Sequence, residues 1–253
     1  QYQSDVVQMA KNGVTSFHFS VEHWKNPMSL TTDSKNYDSL RSGWDIIIDI
    51  DSKLGIDESN LTARLICRLL EKYGISNYGI KFSGRRGFHI SLPWRMFPKS
   101  IDYKQAELLY PMVPRIVSRF IRKKIRRKLM KRIIERKGAK SLMEMLGETP
   151  EKLSPFFFVE VEHNWGSRHM FRAPFSLNEK TWLVSAPLSL GQLRNFDMKM
   201  AEPKNVVKNG NSYEEFFMGE ENEAEDLLTA ALDWHASVRK EEPKNQQKRI
   251  VTW

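Results

Sequence analysis

Two acidic residues stand two positions apart at the end of an apolar run. The run WDIIIDI (residues 44–50) contains Asp49, and Asp51 follows it directly. Its isoleucines predict a β-strand, in which alternate side chains share a face, so Asp49 and Asp51 lie on the same side. Carboxylates among isoleucines are costly to bury unless a cation pairs with them, and a divalent metal ion would serve. The alternative is a solvated strand end beside a turn.

A glycine-containing turn between two further predicted strands carries groups that bind phosphate. The turn reads SGRRGFH (83–89). Its glycines allow a ligand to approach the backbone closely, and arginine can bind phosphate through two parallel hydrogen bonds. A simple hairpin turn with exposed arginines is the alternative, but such a turn does not require Ser83, Arg85, Arg86 and His89 together. The composition therefore favours phosphate binding.

A third carboxylate can come from a later strand. The segment FFFVEVE (156–162) is predicted to be a core strand in which Glu160 and Glu162 share one face. Glu160 could join Asp49 and Asp51, and Glu162 is its rival for that role.

A long amphipathic helix is predicted over residues 113–137. Its apolar positions recur every four residues, at Val113, Val117, Ile121, Ile125, Leu129 and Ile133. Twelve basic residues and one acid, Glu135, lie between them. Like charges on one face oppose helix formation, so an anionic partner such as nucleic acid is expected. The candidate contacts are Arg115, Arg119, Arg122, Lys123, Arg126 and Arg127. A solvated helix face is the alternative, and a membrane-surface helix is a weaker one.

The elements that position these residues alternate between strand and helix, which predicts a mixed α/β fold. Helices are expected from Asp57 or Ser59 to Tyr73, over 103–110 after a cap at Asp102, and over 222–240. Residues 1–212, including the basic helix, are expected to form one domain. Residues 213–253 would add an acidic stretch, the C-terminal helix and a polar tail.

Composition narrows the classes of function. The 253 residues carry a net charge of +9 and are 40% apolar, which suits a globular core and a polyanionic partner. No apolar run is long enough for a membrane span, and no signal peptide is visible. The single cysteine, Cys67, excludes a disulfide framework within the chain, a cysteine-rich zinc module and a four-cysteine iron–sulfur cluster. A reduced, intracellular, cytoplasmic location is expected.

Three segments, in this order, resemble the small catalytic subunit of archaeal and eukaryotic DNA primases. They are DIIIDID (45–51), FSGRRGFHISL (82–92) and HMFRAPFSLNEKTW (169–182). FHFSVEHWKNP (17–27) and LRNFDMKMAEP (193–203) are also similar to family segments, so the resemblance spans about residues 14–203.

The resemblance implies specific roles for the residues in these segments. Asp49, Asp51 and Glu160 would be the catalytic carboxylates that hold two Mg²⁺ or Mn²⁺ ions. The groups that contact the nucleotide and its phosphates would be Ser83, Arg85, Arg86, His89, His169, Arg172 and Lys180. The sequence departs from the family pattern at Glu160, where Asp is usual, at Asn178, where His is usual, and at Trp182, where Gly is usual.

The resemblance also implies a fold and an activity. The fold would be a primase catalytic core with an RRM-like sheet and flanking helices. The activity would be synthesis of short primers from NTPs or dNTPs on single-stranded DNA during replication, with a primase large subunit or a fused equivalent as a possible partner. Neither zinc nor an iron–sulfur cluster is expected in this chain, and its length suggests a reduced, archaeal or mobile-element version. The alternatives are a primer-extending polymerase of the end-joining repair type and a non-catalytic accessory subunit that binds nucleic acid.

Overall fold

The computed structural model describes residues 3–31, 36–147, 149, 152–210 and 214–248. Its α-helices are α1 (Gln3–Lys11), α2 (Tyr37–Leu40), α3 (Ile56–Lys72), α4 (Met112–Lys137), α5 (Ala139–Leu146), α6 (Leu190–Arg194), α7 (Pro203–Asn209) and α8 (Glu225–Lys248). Its strands are β1 (His18–Ser20), β2 (Glu22–Trp24), β3 (Arg41–Trp44), β4 (Ile46–Ser52), β5 (Gly79–Phe82), β6 (Gly87–Leu92), β7 (Ser100–Ile101), β8 (Lys104–Gln105), β9 (Val159–Val161) and β10 (Met170–Arg172). The predicted mixed α/β class is confirmed.

A four-stranded antiparallel sheet in the order β5–β6–β4–β9 forms the centre of the molecule. In its register Asp49 on β4 lies opposite His89 on β6. Asp51 on the same strand lies opposite Glu160 on β9. The turn at residues 83–86 joins β5 to β6. The segments that carry the two aspartates, the arginines and Glu160 therefore meet in one sheet.

The two faces of this sheet differ sharply in polarity. One face consists of buried apolar side chains, namely Ile48, Ile50, Ile80, Phe82, Phe88, Ile90, Val159 and Val161. Helix α3 packs against this face, with contacts to β4, β6 and β9. The alternation of strand side chains then places Lys81, His89, Asp49, Asp51 and Glu160 on the other face. The apolar face therefore fixes which groups point into the polar cleft.

Helices α4 and α8 extend the core beyond α3. All six apolar positions predicted for α4 are buried. Helix α4 packs against both α3 and α8, and the rings of Phe120 and Trp234 lie 5.9 Å apart. Helix α8 begins at Glu225 rather than residue 222 and continues to Lys248, past the expected start of the tail. Residues 213 and 249–253 lie outside the described residues, and the domain division after residue 212 stays a prediction.

Three predicted elements differ in the structure. The strand expected at 156–162 is only Val159–Val161, because Ser154 and Pro155 start a 3-10 turn over Pro155–Phe157. The helix expected over 103–110 is only a 3-10 helix over Ala106–Leu109. Asp102 and Tyr103 adopt φ values of 49° and 62°, which suit the two-residue turn between β7 and β8. Helix α3 begins at Ile56, next to Gly55, earlier than the expected caps.

A two-stranded ribbon of β1 and β10 packs beside the polar face. Phe19 lies opposite Phe171 in the ribbon, and the Phe171 ring lies 5.3 Å from the His89 ring. The sequence does not predict this pairing, which joins segments about 150 residues apart. In the part of the chain that the structure describes, no helix is both long and apolar enough to cross a membrane.

An ion pair at the start of β4 anchors the neighbouring strands. Asp45 accepts hydrogen bonds from the Trp94 backbone N–H at 2.8 Å and from His23 Nε2 at 2.9 Å. Partial burial lowers the pKa of His23, but the hydrogen bond and charge of Asp45 outweigh this effect and raise it above 6.5. Protonated His23 therefore stabilises the folded state.

The His23→Gln variant tests this ion pair. A raised folded-state pKa makes the pair's contribution complete below about pH 6.5 and removes it as the pH rises through the folded-state value. We therefore expect the difference in unfolding free energy between wild type and variant to be larger at pH 5.5 than at pH 8.5. Urea unfolding at both pH values measures this difference in free energy. A difference that is independent of pH would contradict the ion pair between His23 and Asp45.

Candidate active site

A row of three charged or polar groups crosses the centre of the polar face. Lys81, His89 and Asp49 lie opposite one another on β5, β6 and β4. His89 Nε2 lies 3.2 Å from Asp49 Oδ1, and the Lys81 ammonium donates to Ser185 Oγ at 2.8 Å. Sequence reasoning missed Lys81, which is fully buried. The signal was available, because Lys81 alternates with Ile80 and Phe82 in a predicted strand that adjoins the turn at residues 83–86.

Burial and charge in this row shift the three pKa values together. Burial is the main cause that lowers the pKa of Lys81 to about 7, although Asp49 opposes the change. Burial and the nearby Lys81 lower the pKa of His89, so its imidazole is neutral at pH 7. Burial alone would raise the pKa of Asp49, but His89, Lys81 and His169 outweigh this effect and lower it. Asp49 is therefore a carboxylate at neutral pH.

The imidazole of His89 has one unused nitrogen. When Nε2 donates to Asp49, Nδ1 is left as a buried acceptor with no hydrogen-bond partner among the described residues. An unpaired buried polar atom is costly, and such atoms are common where a ligand or water completes the site. This feature agrees with the predicted role of His89 in a ligand-binding site.

Asp51 is held by the turn that was predicted to bind phosphate. Arg86 Nε donates to Asp51 Oδ2 at 2.9 Å, and its Nη2 lies 2.8 Å from the same oxygen. Gly87 is opposite Asp51, and a Cβ added to Gly87 would lie 2.1 Å from the Ile50 carbonyl oxygen and 2.7 Å from Asp51 Oδ1. Glycine is therefore required at residue 87 for the Asp51 carboxylate to occupy this position.

The structure separates the two candidates for the third carboxylate. Glu162 Oε1 accepts hydrogen bonds from the backbone N–H groups of His163 and Asn164 at 2.8 and 2.7 Å. The Glu160 side chain is exposed, with no hydrogen bond or close ion pair within the described residues, and lies directly across from Asp51. This difference favours Glu160 as the carboxylate that is available to a ligand.

The carboxylates fit a divalent metal by chemistry and position but are not assembled around one point. Mg²⁺ and Mn²⁺ prefer oxygen ligands, and Asp49, Asp51 and Glu160 place carboxylates on neighbouring strands of one face. In the described part of the chain, no three acidic, histidine or cysteine side chains lie close enough to hold a metal ion. The Arg86 guanidinium instead neutralises Asp51.

The segment HMFRAPFSLNEKTW (169–182) packs against the turn between β5 and β6. Thr181 Oγ1 donates to the Gly84 carbonyl at 2.6 Å, and a Cβ on Gly84 would lie 2.9 Å from Asn178 Cβ. Lys180 is exposed beside these contacts. Trp182 adopts a φ of 59°, a left-handed conformation that glycine adopts more readily than other residues.

Arg172 and His169 are already engaged with protein groups. Arg172 pairs with both carboxylate oxygens of Glu179, at 3.0 and 2.7 Å, and lowers the pKa of Glu179 to about 2. His169 stacks on Phe171 with ring centroids 4.8 Å apart, and its Nε2 lies 3.8 Å from Glu162. Both residues lie on or next to β10 near the polar face, but their predicted contacts with nucleotide stay predictions.

The basic residues of α4 fall into two groups. Arg115 donates to the Trp165 carbonyl at 2.7 Å, and Arg122 donates to the Val161 carbonyl at 2.8 Å. These two arginines tie α4 to the loop and strand that carry Glu160. The other four predicted contacts, Arg119, Lys123, Arg126 and Arg127, are exposed.

Replacement of Gly87 by alanine tests the close approach to Asp51. The added Cβ would overlap the Ile50 carbonyl, so we expect the free energy of unfolding to fall by about 1–3 kcal/mol. The control is Gly191→Ala in α6, where the Cβ would meet only Ser189 Oγ at 3.8 Å. Chemical denaturation measures both variants, and equal stability of the two would contradict the close approach.

The Arg86–Asp51 pair predicts that two neighbouring arginines differ in their effect on metal binding. Arg86→Ala frees Asp51, so binding of Mn²⁺ in the absence of nucleotide should become roughly two- to five-fold tighter, as the loss of an ion pair worth about 0.5–1 kcal/mol implies. Arg85→Ala is the matched control, because Arg85 is exposed and forms no ion pair among the described residues. Titration calorimetry compares the two, and identical affinities would show that Arg86 does not compete with the metal.

Comparisons with known proteins find two partial similarities. A 58-residue stretch is 40% identical to uncharacterized protein MJECS07 from Methanocaldococcus jannaschii, over 23% of this chain and 13% of the relative. The chain therefore spans only a small part of that relative's length. Among solved structures, the polymerase domain of Ligase D from Mycobacterium tuberculosis, in complex with DNA, has 17% identity and a TM-score of 0.45. That similarity covers 81% of this chain and 62% of the other.

A family model identifies the chain more directly. The model described as DNA primase small subunit matches residues 48–190. This range begins within β4 and contains Asp49, Asp51, the turn at residues 83–86, Glu160 and the segment 169–182 with all its predicted contacts. Because the match covers more than half of the chain, the protein belongs to the DNA primase small subunit family.

Proposed function

We propose that this chain is a DNA-templated nucleotidyltransferase that makes short primers from NTPs or dNTPs by two-metal-ion catalysis. The observation that supports it best is the register of the central sheet. Asp49 and Asp51 share a face with Glu160 on one neighbouring strand, while His89 and the arginine turn belong to the strand on the other side. Carboxylates for cations and donors for phosphates therefore lie side by side on the polar face of the sheet.

Each group has a defined part in this chemistry. Two divalent ions held by Asp49, Asp51 and Glu160 would supply the charge that activates a 3′-hydroxyl and stabilises the pyrophosphate leaving group. Ser83, Arg85 and Lys180 would bind the triphosphate, with the geometry of the turn set by its contact with Thr181. Arg86 would exchange Asp51 for a phosphate oxygen when nucleotide enters. His89 would orient Asp49 and offer its second nitrogen to the ligand.

The conformation of the site without ligand explains how it tolerates dense charge. Asp49 lies beside the neutral His89 imidazole and near Lys81, and the charge of Asp51 is balanced by Arg86. Bound nucleotide and metal would take the place of these partners, so the charged side chains would not become unpaired. The energetic cost of assembling the catalytic state is therefore reduced by exchange between ion pairs.

Helix α4 would bind the phosphate backbone of single-stranded template DNA. Its exposed side chains include Arg119, Lys123, Arg126 and Arg127, whereas Arg115 and Arg122 hold the helix in place. Contacts of this kind are independent of sequence and weaken with salt. We also expect the chain to act inside the cell, and a primase large subunit or fused equivalent remains a candidate partner.

Primer synthesis on single-stranded DNA tests the proposal directly. The protein is incubated with a template, labelled NTPs or dNTPs, and Mg²⁺ or Mn²⁺, without a primer. We expect short products that fall by at least about 100-fold in Asp49→Asn and Asp51→Asn, because the loss of charge removes metal ligands but preserves side-chain shape. Asp102→Asn, in the β7–β8 turn, is the control and should retain full activity.

A second arm separates the alternatives. Products only on an annealed primer would indicate a primer-extending polymerase of the repair type. If the wild-type protein binds DNA but gives no product under either condition, the proposed catalysis is wrong and the accessory-subunit alternative is favoured.

A further inference from the structure

A separate cavity of about 460 Å³ opens at the amino-terminal end of α3. Four basic side chains line it: Arg64 from α3, Arg136 and Lys137 from the end of α4, and Arg194 from the end of α6. Two acids, Asp57 and Glu58, also line it. None of the four cations belongs to the proposed catalytic residues, and none of the predicted site residues lines this cavity.

Two of the cations are positioned by a buried carboxylate. Glu58 is only 2% exposed, and its Oε1 lies 3.3 Å from Lys137 Nζ and 3.9 Å from Arg136 Nη1. Arg136 also donates to the Asp57 backbone carbonyl at 3.4 Å. One oxygen of Glu58, Oε1, thus holds the last turn of α4 over the start of α3, whereas Oε2 has no hydrogen-bond partner among the described residues.

The other two cations are free. The side chains of Arg64 and Arg194 form no hydrogen bond or ion pair with any residue that the structure describes. Each guanidinium presents donors in a planar arrangement that matches the oxygens of a phosphate group. Two free arginines in one concave site, flanked by two fixed cations, favour an anion with several oxygens.

The cavity borders the end of α4 and the first turns of α3, the helix that also holds the arginine turn. On one side it includes Arg136 and Lys137, where the basic face of α4 ends. On the other side, the Ser59 hydroxyl of α3 donates to the Arg86 carbonyl at 2.7 Å, and Arg86 pairs with Asp51. Lys137 and Arg136 at the end of α4 and Ser59 beside the arginine turn therefore connect this cavity to both the basic helix and the turn.

We propose that this cavity binds a backbone phosphate of the single-stranded DNA that enters the active site. The inference rests on the proposed function, since it requires a nucleic-acid ligand. Arg64 and Arg194 bind the phosphate oxygens, and Glu58 acts as a positioning residue through Lys137 and Arg136. The site fixes the path of the strand by charge and shape and does not read its bases.

The salt dependence of DNA binding tests this site. The double variant Arg64→Gln/Arg194→Gln is titrated with a fluorescent single-stranded oligonucleotide at several salt concentrations. We expect weaker binding and a slope of log K against log [salt] that is shallower by about 0.7 for each phosphate that the variant no longer neutralises. Neither arginine side chain has a partner among the described residues, so the variant should fold normally, which circular dichroism confirms.

The matched control removes the same charge elsewhere. Lys11→Gln/Lys104→Gln changes two exposed lysines, on α1 and on the β7–β8 hairpin. Its slope should stay close to that of the wild type. If the Arg64/Arg194 variant has the same slope as this control while the wild type binds DNA and makes primers, the inference is wrong but the proposed function stands. If the wild type binds no DNA, both are wrong.

A third measurement separates the two sources of a phosphate group. Pyrophosphate is titrated into wild type and the Arg64/Arg194 variant by calorimetry, without DNA. Equal pyrophosphate binding by the two proteins, together with the changed salt slope, supports a backbone phosphate. Loss of pyrophosphate binding with an unchanged slope would assign the cavity to a free polyphosphate and overturn the proposal.

Discussion

The alternation of side chains along β4 and β6 is the constraint on which the rest of the structure depends. A strand that buries Ile48 and Ile50 on one face must turn Asp49 and Asp51 to the other. The same rule on β6 buries Phe88 and Ile90 and turns His89 toward Asp49. Burial of the apolar face against α3 thus determines where the charged groups lie, and a shift of one residue in register would exchange the two faces.

Once charged groups share a partly buried face, their mutual neutralisation organises the site. Lys81 is fully buried and lies near Asp49, while Arg86, in the turn between β5 and β6, forms an ion pair with Asp51. Loss of the Asp49 charge would leave the buried Lys81 without its nearby carboxylate, which is more costly than the loss of an exposed ion pair such as Arg86–Asp51. The carboxylates of Asp49 and Asp51 can therefore exchange their protein partners for cations, and Arg86 can exchange Asp51 for a phosphate.

Helix α3 connects this site to the rest of the molecule. Its apolar side supports the sheet, its Ser59 holds the backbone of the arginine turn, and its Glu58 holds the end of α4. Helix α4 in turn reaches β9 through Arg122. One helix thus links the candidate catalytic face, the basic helix and the cavity at its own amino-terminal end.

Local pattern alone determined much of this arrangement. Strand alternation indicated that Asp49 and Asp51 share a face, and the four-residue spacing from Val113 to Ile133 predicted α4 with its buried positions. These features depend on residues close in the chain, so periodicity and turn chemistry are sufficient. The elements predicted at 103–110 and 156–162 are shorter than expected, because positive φ values at Asp102 and Tyr103 and a proline-started turn at Pro155 interrupt them.

Only the tertiary structure decided which distant groups meet. The pairing of Asp51 with Glu160, the packing of Phe171 on His89 and the burial of Lys81 against Ser185 all join residues far apart in the chain. Tertiary packing also turned Arg115 and Arg122 inward, although their spacing on α4 is like that of the exposed cations. These outcomes depend on burial and on the geometry of partners across the fold, which the composition of a single segment does not contain.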